Sequence, residues 1–157
     1  MLEGNMENIK YFKRVHVGLV ILFSFLSLGI YLGYWFLSRK KSINDLKGEK
    51  VVPFKWWVVF TTILTISFVY KFVGPIFLTP YGMAIFDSID VILSCYLLGL
   101  LYYSVFRLAE LFEETYNEKI FQGWLLVLFH VWYVQYKINR LGDFEIEESR
   151  FTSQLAK

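Results

Sequence analysis

Gly74-Pro75-Ile76-Phe77-Leu78-Thr79-Pro80-Tyr81-Gly82 joins two apolar runs, Trp56–Leu78 and Ile85–Leu108. Two prolines and two glycines in so short a stretch read as a tight reversal, because proline lacks the amide proton that a helix interior uses. Each run has the roughly 20 apolar residues that a helix needs to cross the hydrocarbon of a bilayer. The three pieces together read as a transmembrane helical hairpin.

Two more apolar runs flank this hairpin, Val15–Leu37 before it and Ile120–Tyr136 after it. The 157 residues are 56% hydrophobic, 20% aromatic and 19% charged. Soluble domains sit near half apolar and about a quarter charged, so the balance is that of a membrane protein. Many aromatics, few prolines and a single cysteine, Cys95, exclude disordered, collagen-like and disulfide-stapled classes. The first run is not a secretory signal: it is too long, ends in Tyr31, Tyr34, Trp35 and Phe36, and lacks a small-residue cleavage site. The expected fold is an all-α membrane protein, with four hydrophobic helical segments around the central hairpin. Residues 1–142 form its one embedded domain, and 143–157 an acidic, mobile tail. The third helix should continue through Arg107–Glu114 with Leu108, Leu111 and Phe112 on one face, and Asn117 should cap the start of the fourth.

The placement of the 16 basic residues bears on how many segments cross. Four full crossings divide them evenly, eight to a side, with no positive-inside bias. If only the central hairpin crosses, Lys71 alone is separated from the other 15, and the basic face is cytoplasmic. The first and fourth segments are therefore expected either to span or to be re-entrant or interfacial. Ser27-Leu28-Gly29 offers a turn in the first. Gln122, His130 and Gln135 suit the fourth to an interface. Tyr31, Tyr34 and Trp35 before Arg39, Lys40 and Lys41 read as an aromatic belt followed by a basic anchor. Trp132, Tyr133 and Tyr136 before Lys137 and Arg140 repeat the pattern. Both ends then carry Ile-Asn-x-Leu, at 43–46 and 138–141. Gly29 and Gly33 have the Gly-x-x-x-Gly spacing of a close helix contact in lipid.

Arg14 before an apolar run, then Ser27-x-Gly29-Ile30-Tyr31, Tyr34-Trp35 and Ile43-Asn44, resembles the signature of a widespread family of small prokaryotic membrane proteins of unassigned activity. Ser27 stands where that family usually has threonine, which keeps the hydroxyl. Gln135–Leu141 is similar to the family's closing segment, and the two stretches cover about a third of the chain. The resemblance implies an integral membrane protein and brings no activity with it.

Ionisable residues in apolar runs are candidate functional groups. Asp87, Asp90 and Ser94 share one face of the third helix, and Lys71 lies near the same reversal. They could bind a cation or relay protons; the simpler reading has the aspartates near the interface, capping the helix and pairing with Lys71. His130 could relay protons, against a plain hydrogen bond to Tyr133, Gln135 or a neighbouring backbone. Thr61, Thr62, Thr65 and Ser67 are expected to bond back to their own helix. No phosphate-binding loop, metal-ligand spacing, cofactor motif, nucleic-acid patch or catalytic set is present in the sequence. The expected role is a scaffold or accessory subunit of the cell membrane, associating with itself or another membrane protein and with anionic lipid headgroups. The alternative is a homo-oligomeric ion channel or small transporter using Asp87, Asp90, His130 and Lys71.

Overall fold

The computed structural model describes residue 12, residues 14–46 and residues 52–155, with backbone only from 144 onward. Lys10, Lys13, Lys47, Lys50 and Lys157 of the charge count lie outside the described residues, as does the side chain of Arg150. The described chain is all-helical: α1 (Val17–Leu26), α2 (Ile30–Ser38), α3 (Lys40–Asn44), α4 (Phe54–Phe77), α5 (Pro80–Tyr116) and α6 (Gly123–Leu155). No strand occurs among the described residues. Among the described residues, only α4 and α5 are long and apolar enough to cross a membrane.

These two form the expected antiparallel pair, but the reversal is tighter than the sequence reading. α4 runs on through Pro75 to Phe77, and α5 starts at Pro80, so the link is Leu78-Thr79 alone. Pro75 sits in the last turn of α4, where one lost backbone bond is tolerated, and Pro80 occupies the first turn of α5, where its missing amide costs nothing. The Thr79 hydroxyl accepts from the Gly82 amide at 3.2 Å and caps α5. At the other end α5 passes through Arg107–Glu114 as expected and buries Leu108, Leu111 and Phe112. Asn117 ends α5 in the left-handed region, at φ 53°, instead of starting the next helix. Asparagine is among the few side chains that enter that region readily.

The first apolar run is not one helix. Leu28 at φ 49° and Gly29 at φ 94° break it into α1 and α2. The Gly29 amide bonds back to the Ser24 carbonyl, and the Ser27 hydroxyl accepts from the Tyr31 amide, so the break satisfies its own backbone. The two ends of the run then meet on α6. Asn139 Nδ2 donates to the Val15 carbonyl, while Trp35 Nε1 donates to Gln135 Oε1. Gln135 and Asn139 are one turn apart, about 6 Å, whereas a straight helix from 15 to 35 would separate its ends by about 30 Å. The run therefore folds back on itself. The fourth run bends as well. His130, at φ 30° and ψ −116°, breaks α6, and Phe121 and Tyr133 on either side come within 5.9 Å, ring centre to ring centre. The two bends lie side by side, with Phe25 against Trp132.

Packing concentrates where both folded-back runs meet one end of the α4–α5 pair. Trp35, Phe36, Trp57, Val105, Leu108, Phe112, Val131 and Val134 are fully buried there. Phe36 stacks on Trp57 at 4.4 Å, and Trp57 Nε1 donates to Ser104 Oγ at 2.9 Å. Away from this end the pair is bare: 11% of the most apolar stretch of α4 and 6% of that of α5 are buried. After Gly142 the segment expected to be mobile continues α6 as a helix to Leu155.

Candidate functional site

Two polar sites emerge. The first is a buried knot where α2 and α6 cross. Gln135 Oε1 accepts from Trp35 Nε1 and from Arg39 Nη2, both at 2.8 Å. Gln135 Nε2 donates to Asn139 Oδ1, and Asn139 donates to Val15. The Arg39 guanidinium lies over the Trp35 ring at 4.4 Å and also donates to the Trp35 carbonyl. Burial pulls its pKa down to about 10, which leaves it charged at neutral pH. Trp35 and Arg39 were read as lipid-facing belt and anchor. Both are buried instead, at 0% and 3% exposure, because Gln135 supplies the polar partner that headgroups would otherwise provide. Tyr34, Lys40 and Lys41 of that group stay exposed. The knot clamps both ends of the folded run to one turn of α6.

The second site is a cleft of about 380 Å³ beyond the bend of the first run. Ser24, Phe25 and Leu28 form its floor. Ser67, Phe68 and Lys71 of α4 and Asp90 and Ser94 of α5 form its walls. Lys71 Nζ lies 3.3 Å from Asp90 Oδ2, and Ser67 Oγ donates to Asp90 Oδ1. Ser67 thus reaches across to α5, unlike Thr61, Thr62 and Thr65, which do bond back to Trp57, Val58 and Thr61. The pairing of Asp90 with Lys71 is as expected; the capping role is not. α5 starts at Pro80 and is capped by Thr79, which puts Asp90 about 15 Å along the helix. Asp87 is exposed and stands outside the cleft.

The remaining candidates separate. His130 lies at the second bend, against Tyr102 at 6.0 Å and Trp132 at 5.0 Å between ring centres. Neither Tyr133 nor Gln135 bonds it, and its Nδ1 is buried without a hydrogen-bond partner among the described residues. Gly29 and Gly33 do different work. Gly29 supplies the positive φ of the bend and would bring a Cβ to an ordinary 3.5 Å from Leu97. Gly33 is the close contact: a Cβ there would overlap the Thr61 hydroxyl and lie 3.0 Å from its Cβ. The sequence reading missed Ser67, Ser24 and the knot. Their signal was helical spacing, with Ser67 and Lys71, Asp90 and Ser94, Trp35 and Arg39, and Gln135 and Asn139 each four residues apart.

No family model, curated protein or solved structure matches the chain.

Proposed function

We propose that this is a small integral protein of the cell membrane that acts as a scaffold or accessory subunit through helix–helix association, without catalysis of its own. The observation that carries this is the bare apolar flank of α4 and α5. A soluble protein could not leave such a surface to water, whereas lipid or a partner helix covers it without cost. On that flank an open apolar groove has Trp56, Phe60 and Tyr103 as walls and the small residues Cys95 and Gly99 as floor. Small residues four apart suit close approach of another helix in lipid.

In this reading α4 and α5 cross the bilayer, and the folded-back runs enter and leave from the same face as the hairpin's open end. That arrangement leaves 15 basic residues on the cytoplasmic face, near anionic headgroups, and Lys71 alone within the hairpin. Mass measurement of the protein in mild detergent tests the role. A particle of two or more chains, or one carrying another membrane protein, is expected; a stable lone monomer contradicts it.

The cleft favours a second reading, an ion channel or small transporter. Asp90 then belongs to the pathway and Asp87 does not, since only Asp90 faces the cleft. Ion flux into liposomes that falls with Asp90→Asn and survives Asp87→Asn supports it. Flux unchanged by both substitutions removes it.

A further inference from the structure

The cleft holds one positive and one negative side chain 3.3 Å apart, so it is neutral as a whole while strongly polar within. Its hydrogen-bonding capacity is only partly used. Lys71 carries three N–H donors and gives one to Asp90. Ser94 is exposed to the cleft and has no hydrogen-bond partner among the described residues. The Asp90 carboxylate has room for about four donors and receives Ser67 and Lys71. Unused donors thus stand at Lys71 and Ser94, and unused acceptor capacity at Asp90.

The two charges constrain what fits. A simple anion beside Lys71 meets the Asp90 carboxylate, and a simple cation beside Asp90 meets the Lys71 ammonium. Away from water such like-charge contacts are costly. A ligand carrying both charges avoids the conflict: its oxyanion takes Lys71 and Ser94, and its ammonium takes Asp90. Phe25 and Leu28 on the floor and Phe68 on the wall add apolar surface that an alkyl chain can cover. The volume lies within the ordinary range of small-ligand sites.

We propose that the cleft between the bend of the first apolar run and the α4–α5 pair binds a zwitterion, an ammonium and an oxyanion a few bonds apart. Two sources supply that chemistry, a zwitterionic phospholipid headgroup and a free amino-acid-like solute. The lipid source rests on the membrane reading above; the ligand chemistry does not.

The test uses the full chain in neutral detergent, with bound ligand counted by native mass spectrometry and affinity measured by calorimetry. The probes are a short-chain phosphoethanolamine lipid, a short-chain phosphoglycerol lipid and β-alanine. Saturable binding of the phosphoethanolamine lipid is expected. Lys71→Met and Asp90→Asn should each weaken it about 10-fold or more, as loss of a charged hydrogen bond implies. The phosphoglycerol lipid should bind at least about 10-fold less tightly for the same reason. A Lys71→Met/Asp90→Leu protein, neutral and apolar, serves as the folding control: a helical spectrum equal to the parent's with binding lost supports the site. β-Alanine binding as tightly as the lipid supports the proposal and makes the solute the source. Phosphoglycerol binding that matches phosphoethanolamine and strengthens with Asp90→Asn overturns it in favour of an anion site. No saturable binding by any probe, or binding that no variant changes, also overturns it. Because these readings are taken in detergent, their failure is separate from a failure of the proposed topology, which labelling in the membrane reports.

Discussion

Gln135→Leu removes the acceptor on which the buried knot depends. Leucine is similar in volume though branched one atom earlier, so the loss is mainly polar. Trp35 Nε1 and Arg39 Nη2 each lose a 2.8 Å bond. A hydrogen bond to a charged group is worth about 1.5–3 kcal/mol, and a stranded buried donor costs about 1–3 kcal/mol. Arg39 retains its contacts with the Trp35 carbonyl and ring, which limits the loss on that side. The total comes to about 3–5 kcal/mol. For a chain of this size that is a fall in Tm of roughly 6–20 °C. Thermal unfolding in mild detergent, followed by the fluorescence of the five tryptophans, reads it. Gln135→Glu keeps the acceptor and should stay much closer to the parent. A double-mutant cycle with Trp35→Phe sharpens the test, because the phenylalanine removes the same bond from the other side. The two changes should be non-additive by about 0.5–3 kcal/mol. A Gln135→Leu protein that melts with the parent, or a strictly additive cycle, refutes the knot as the clamp between α2 and α6.

Two further substitutions test the local geometry by the same thermal assay. Gly33→Ala should cost about 1–3 kcal/mol by overpacking against Thr61, with partial recovery in Gly33→Ala/Thr61→Ala. Asn117→Gly should be neutral or slightly stabilising, whereas Asn117→Val should cost more than about 1 kcal/mol, since Asn117 holds φ 53°.

How far the sequence carried the fold depends on the kind of signal. The hairpin was legible because Pro75 and Pro80 act locally, through φ and a missing amide, although the turn itself proved to be Leu78-Thr79. The bend at Ser27-Leu28-Gly29 was legible for the same reason, and the charge count pointed the same way. The bend at His130 was not, because φ 30° with ψ −116° lies outside the left-handed region that a histidine enters on its own; its surroundings hold it there. Trp35 and Arg39 were misread because an aromatic followed by a base looks the same whether headgroups or a distant side chain satisfy it. Gln135, 100 residues from Trp35 in the chain, decided the matter. At the candidate site, Lys71 and Asp90 stood out as charges in apolar runs, and their pairing followed from the hairpin. Ser67 did not stand out, since a helical serine usually bonds back to its own backbone, as the nearby threonines do.

In the proposed topology only α4 and α5 cross the bilayer. Sided cysteine labelling in intact and opened membranes tests it most directly, on a Cys95→Ser background with single cysteines in place of His16, Asp45, Asp143 and Tyr81, all exposed. Labelling of His16, Asp45 and Asp143 positions from one face, and of the Tyr81 position from the other, is the predicted result. Labelling of the His16 and Asp45 positions from opposite faces would contradict it.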